Sequence, residues 1–249
     1  MKMKFAFVTI FLFATVLSFA QQQNNLSRNN TFLDLSATVG SVQGTVAGSY
    51  VYNWKFGRNK RFEAGLGLRN TTYFGTKKEF ITAGPAKLTR TSTTPFLIFF
   101  AGQREANFDT LTVQRPFTNS LNATINLGYS ISNNLYAGFN IDLIGFTVGS
   151  KTSAILKSNG NTTTEPVAKP AAFNLLLTGD HDYGSLNSEF FLKYKVADRW
   201  AVKALYQFIF IEYKTTTTQQ VAPDGTEVTR FRNKANNFGV GVSYSLSKK

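Results

Sequence analysis

The single histidine, His181, stands in Gly-Asp-His-Asp-Tyr-Gly-Ser (residues 179–185), between Asp180 and Asp182 and four residues before Ser185. A histidine that takes a proton from a serine, steadied by a carboxylate, makes a nucleophile for acyl transfer. His181, Asp182 and Ser185 are therefore the candidate catalytic residues. Such sites are defined by geometry rather than by local order. A solvated turn accounts for the same run, because Asp and Gly favour turns; that reading is preferred, and no enzymatic activity is expected. Zinc lacks ligands, since the chain has no Cys and one His. Asp180 and Asp182 do not have the spacing of a calcium loop, and no phosphate-cradling or dinucleotide fingerprint opens a helix. Neither a metal nor a cofactor is expected.

A second constellation is spread along the chain. Asp34, Lys55, Glu63, Arg69, Asp142, Glu189, Lys193, Lys195 and Lys203 all fall on the polar phase of segments in which every second residue is apolar. Five bases face four acids. Buried charges persist when paired and are costly otherwise, so the expectation is a packed interior of salt bridges with no open channel.

The elements that carry these charges are strands. Lys2 and Lys4, the apolar run Phe5 to Leu17, and Ser18-Phe19-Ala20 before Gln21 read as an export signal over residues 1–20. That run is shorter than the roughly 20 residues a spanning helix needs. Residues 21–30 are polar and read as a flexible lead-in. Eight alternating segments follow, at about 31–39, 46–56, 61–74, 118–131, 135–148, 187–196, 199–213 and 235–247. Between them lie short turns at Gly57 to Lys60, Ser132 to Asn134 and Ala197-Asp198, and long connections at 75–117, 149–186 and 214–234. Short and long alternate, which places all tight turns at one end of an up-and-down barrel and all long loops at the other. Ile144 and Phe146 break the phase near Gly145, where a bulge is expected.

Polarity decides which face of these strands is inside. The polar rows are small: Asn122, Thr124, Asn126, Gly128 and Ser130 in one strand, and Asn237, Gly239, Gly241, Ser243 and Ser245 in another. Small residues suit the crowded inside of an eight-stranded barrel. The apolar rows, such as Leu135, Ala137, Phe139, Ile141 and Leu143, carry no charge, as a lipid-facing band requires. Trp54, Tyr129, Tyr136 and Trp200 lie beside short turns, and Tyr73, Phe146, Phe210 and Tyr213 near long-loop ends. These placements read as two interfacial girdles. Pro95 to Gly102 (PFLIFFAG) is expected to pair with Ala106 to Val113 as a hairpin and to pack over the barrel mouth; a ten-stranded barrel is the alternative.

The export signal, the eight segments and the short/long alternation resemble the small outer-membrane β-barrels, of which OmpX and the OmpA membrane domain are members. The Ser-Phe-Ala-Gln junction and the Asn/Thr-rich loops resemble the forms carried by Bacteroidetes-type bacteria. The resemblance implies an eight-stranded antiparallel transmembrane barrel over residues 31–249 in the outer membrane of a Gram-negative bacterium. It further implies assembly by the outer-membrane machinery, for which Tyr244, ahead of the Lys248-Lys249 tail, is the candidate terminal aromatic. The expected role is structural, or surface interaction with an extracellular ligand or protein through the long loops. A passive pore is the second reading, and a lipid-modifying enzyme using His181 is the third. With a net charge of +13, an exported chain is expected to meet an anionic glycolipid rather than nucleic acid, and to act as a monomer.

Overall fold

The computed structural model describes residues 28–94, 97–177 and 181–247. The expected signal segment, residues 21–27 of the lead-in, Asp180 and the Lys248-Lys249 tail lie outside the described residues. Asn29 and Asn30, expected in the lead-in, already belong to the first strand.

The fold is all-β and antiparallel. Eight long strands carry the alternating segments: β1 (Asn29–Val39), β2 (Gln43–Phe56), β3 (Phe62–Gly75), β6 (Phe117–Ser130), β7 (Leu135–Gly149), β11 (Leu186–Lys195), β12 (Trp200–Lys214) and β15 (Arg230–Ser245). Each pairs antiparallel with the next in that order, and β15 returns to pair with β1, Phe32 opposite Ser245. The ladders thus close on themselves as a ring of eight. Side chains alternate across each strand, and burial follows. On β1, Phe32, Asp34, Ser36 and Thr38 are buried while Leu33, Leu35 and Val39 are exposed. On β15, Asn237 and Ser243 are buried, whereas Phe238 is 68% and Val240 70% exposed.

The inside is filled by placing large side chains against glycines. A methyl added at Gly138 would lie 2.3 Å from the Phe191 ring, and one at Gly128 would lie 1.7 Å from the Tyr136 hydroxyl. These glycines are the space that the rings occupy. The expected irregularity near Gly145 is a register shift at Ala123/Thr124: Thr124 faces Asp142, but Ala123 faces Ile144. Leu143 is the extra residue, and beyond it Ile144, Phe146 and Val148 take the exposed phase.

Among the described residues there are fifteen strands rather than eight. The additional ones are β4 (Lys77–Thr82), β5 (Thr110–Gln114), β8 (Thr152–Ser158), β9 (Asn161–Pro170), β10 (Phe173–Leu175), β13 (Gln220–Val221) and β14 (Glu227–Val228). None of them enters the ring, so the ten-stranded alternative is not what forms. They build a second structure on the long-loop side. Above Phe238, β15 leaves β1 and pairs with β4; above Phe210, β12 leaves β11 and pairs with β9. Strand β4 pairs with β5, β5 with β8, and β8 with β9. With the β12–β15 ladder continuing to Lys214 opposite Arg230, these pairings form a second circuit of six strands that shares two strands with the first.

The second circuit has its own apolar core of Phe80, Leu111, Val113, Ala154, Leu156, Ala168, Ile209, Ile211, Tyr213, Phe231 and Ala235, joined by Tyr73 from the first ring. This explains why β12 turns apolar above Gln207. It also corrects the outer girdle: Tyr73, Tyr213 and Phe210 are buried, and of the four expected there only Phe146 is exposed. Two further corrections concern residues 95–113. Strand β5 pairs with β4 and β8 rather than with the PFLIFFAG run. Within that run, Leu97–Phe100 is a 3-10 turn in which Leu97 is 58% and Phe100 88% exposed, while Pro95 and Phe96 lie outside the described residues. Beside the six-stranded circuit, the β13–β14 hairpin and the short helix α1 (Ala86–Thr89) share a small core of Leu88, Ala222 and Val228.

Candidate functional site

The interior of the first ring is layered along its axis. The middle layer is a chain of six charges that alternate in sign: Asp142, Arg69, Glu189, Lys203, Asp34 and Lys193. Arg69 Nε donates to Asp142 at 3.0 Å, and its guanidinium stands 3.3 Å from Glu189. Lys203 bridges Glu189 at 2.9 Å and Asp34 at 3.3 Å, and Lys193 reaches Asp34 at 2.9 Å. The side chains of Arg69, Asp142, Glu189 and Lys203 are no more than 1% exposed. Remaining valences are filled by amides. Asn122 and the Asn187 backbone donate to Asp142 at 2.7 and 2.9 Å, and Arg69 also donates to the Asn140 side chain and the Asn187 carbonyl. Three bases meet three acids, so the layer is neutral; its four inner charges are paired on both sides and each end charge on one, the condition under which buried ions persist.

Above it lies a neutral layer. Gln207 Oε1 accepts from Thr38 at 2.8 Å and from Asn237 at 2.8 Å, and Gln207 Nε2 donates to Thr45 at 3.1 Å. Gln43 adds a bond to Asn237 at 2.9 Å. Then comes the apolar core of the second circuit, with Phe80 edge-on to Tyr213 at 5.3 Å between centroids.

Below the charges the interior opens. A cavity of about 410 Å³ lies at the short-turn end. Lys193 forms its floor, with its ammonium 3.3 Å over the Phe32 ring and 3.1 Å from Ser243 Oγ. Lys55 and Lys195, expected in the buried network, stand at this cavity instead; Lys195 lies 3.8 Å from Asp198. Glu63 is at its edge and accepts from Asn30 at 2.8 Å, Tyr136 Oη at 3.1 Å and Asn53 at 3.3 Å. Tyr136 therefore corrects an expectation. It shares the inward phase of Asn140 and Asp142, and its hydroxyl is committed to Glu63, so it is not part of a girdle. The other ring residues expected at this rim face outward: Trp200 packs on Tyr244 (4.9 Å), Tyr129 on Phe62 (4.7 Å), and Trp54 against Tyr52 (5.1 Å).

Of the three candidate catalytic residues, Ser185 and Asp182 are engaged with other partners. Ser185 is buried, and its Oγ accepts from the Glu212 backbone at 3.3 Å. Asp182 caps the Leu177 backbone at 2.7 Å and lies 4.0 Å from Arg232. His181 is exposed at the edge of a separate cavity of about 300 Å³, beside Tyr183, Glu227 and Arg230. The buried charges missed by sequence reasoning are here. Glu212 meets Arg232 at 3.0 Å and Arg230 at 3.1 Å, and both arginines donate to the Asp182 carbonyl. Their signal was available: opposite charges stand at the tops of two consecutive strands, on the outward phase.

No family model matches the chain, and no curated protein matches it. Among solved structures it is similar to Neisserial surface protein A at 8% identity and a TM-score of 0.37, covering 88% of this chain and 97% of that one. It is similar to Ail, the attachment invasion locus protein of Yersinia pestis, crystallised with the heparin analogue sucrose octasulfate, at 9% identity and a TM-score of 0.33, covering 89% and 100%. It is similar to the Pseudomonas putida toluene transporter TodX at 10% identity and a TM-score of 0.20, covering 94% and 92%.

Proposed function

We propose that the chain is an integral outer-membrane β-barrel protein of a Gram-negative bacterium, sealed along its axis, whose role is structural or surface interaction through the second circuit and not catalysis. The observation that carries the proposal is the inverted polarity of the eight-stranded ring. Its buried side chains are mostly charged or polar, with a few apolar ones such as Phe32, Val51 and Phe191 among them, while its outward rows are apolar and exposed, among them Leu35, Leu66, Leu127, Phe190, Val202 and Val240. In water such a belt is an aggregation liability; in hydrocarbon it is the lowest-energy surface, and a closed ring leaves no unpaired strand edge.

The outer limit of the belt is marked by composition. On β15 the exposed outward column passes from Val242, Val240 and Phe238 to Asn236 and Lys234. Asn70 and Asn119 also face outward near this level, and each donates its amide to the other at 2.9 and 3.0 Å. Lys234 stands where the phosphates of an anionic glycolipid would lie, and this lipid is the proposed partner of the rim. The short-turn end then faces the periplasm.

The seal favours this reading over a passive pore. A solute would have to cross an alternating charge layer, an amide layer and an apolar core. The test is a planar-bilayer recording on the folded chain. Insertion without conductance steps is expected, and stable ohmic steps would overturn the seal. Heat-modifiable gel migration and loss of monodispersity without detergent are expected of the membrane reading; a chain that stays folded and monodisperse without detergent would overturn it.

A further inference from the structure

We propose that the cavity at the short-turn end is a binding site for a short peptide ending in a free carboxylate, which enters and leaves by the same mouth. The proposal deepens the sealed-barrel reading, but its experiment measures binding rather than conductance, so the two can fail separately.

Charge supports a singly charged anion. Lys55, Lys193, Lys195 and Arg199 line the cavity together with Glu63 and Asp198, and Asp34 neutralises Lys193 from beneath. Four cations against three carboxylates leave one positive charge in a cleft whose walls are protein, where field lines concentrate. Glu63 does not compete for that excess, because its carboxylate already accepts from Asn30, Asn53 and Tyr136. A carboxylate balances one positive charge; a doubly charged phosphate overshoots it.

The groups behind the charge suit a peptide. Carboxamides of Asn133 and Asn134 line the mouth, with donors and acceptors matched to peptide bonds. The wall offers the Tyr136 ring, on which a small side chain can pack. The deeper layers are filled by side chains, so the cavity is a blind pocket.

The probe is radiolabelled N-acetyl-alanyl-alanine, measured by equilibrium dialysis against the chain folded in zwitterionic micelles. One saturable site is expected, weakened by added salt. The C-terminal amide of the same dipeptide should bind at least tenfold more weakly, and so should the acid to the double variant Lys55→Gln/Lys195→Gln. Both lysines are at the cavity rim and outside the buried network, so heat-modifiable migration should be retained. A second variant, Ser130→Trp, fills the mouth from its own lining and should abolish binding without changing charge. Absence of saturable binding up to about 10 mM, a range in which even weak complexes register, would overturn the proposal. Equal affinity for the amide, equal affinity in the double variant, or competition by inorganic phosphate at equal concentration would each overturn it as well.

Discussion

Glu189→Gln is the sharpest perturbation of the packed interior. Glu189 sits at the centre of the six-charge chain, 2.9 Å from Lys203 and 3.3 Å from Arg69, with its side chain 1% exposed. The substitution keeps the shape and one carbonyl acceptor but removes the negative charge between two cations. Arg69 retains Asp142 and Lys203 retains Asp34, so neither cation is orphaned, yet the layer carries one uncompensated charge out of reach of water. Removing one partner of a buried pair costs about 3–5 kcal/mol. The retained partners place this case near the lower figure, and about 3 kcal/mol is a factor of about 160 in the folding equilibrium. Urea unfolding in lipid vesicles, followed by heat-modifiable migration, would measure it. Lys203→Met alone should cost a similar amount, since it leaves two carboxylates short of a cation. The double variant restores neutrality and should cost less than the sum of the two, with a coupling of about 1–3 kcal/mol. Additive losses, or a loss below about 1 kcal/mol for Glu189→Gln, would refute the view that these charges form one desolvated, mutually compensating layer.

Three other outcomes are expected. Val240→Arg on the outward face should cost about 2–4 kcal/mol in bilayers, measured by vesicle unfolding, whereas at an exposed site on a water-soluble protein it would be nearly neutral. Gly138→Leu drives a side chain into the Phe191 ring and should block formation of the heat-modifiable form, because overpacking costs about 1–3 kcal/mol even where the backbone can yield. In the second circuit, burial acts to raise the Glu165 carboxyl, but hydrogen bonds from the Thr218, Val167 and Thr217 amides and the Thr218 hydroxyl hold it down to about 2, below its ordinary 4.5. A depressed carboxylate stabilises the fold above its unfolded value and loses that contribution as pH falls through its folded one. Protease cleavage within residues 214–220 should therefore rise between pH 4.5 and 2, and Glu165→Gln should show the rise already at neutral pH.

Deleting residues 76–115 is not a clean test of surface binding. That segment contains β4 and β5, and its loss would open the second circuit and expose Phe80, Leu111 and Val113. Point substitutions at exposed cap residues such as Lys87, which pairs with Asp224 at 3.3 Å, keep the core covered.

What the sequence determined on its own is everything with a period of two. Alternation located the ring strands, and all but β2 and β15 begin and end within about two residues of expectation, inside the usual boundary error. It also put Asp34, Arg69, Asp142, Glu189, Lys193 and Lys203 on the inward phase, because a pleated strand has only two faces. Connection length placed the short turns at one end. Tertiary structure decided what depends on contacts between distant segments. Parity names the face of Arg69 but not its partners, which come from β7 and β11 across the lumen. The two lysines at the cavity share the phase of the buried ones and differ only in height along the axis. The second circuit had no readable signature: β4, β5 and β8 are short, and two of its closures are pairs of rungs, Phe231–Thr82 with Arg232–Ile81 and Tyr213–Pro170 with Lys214–Lys169. Such closures are stabilised by a shared apolar core that exists only once residues far apart in sequence have met. For that reason Tyr73 and Tyr213, read as surface aromatics from their position near the loops, lie in that shared core.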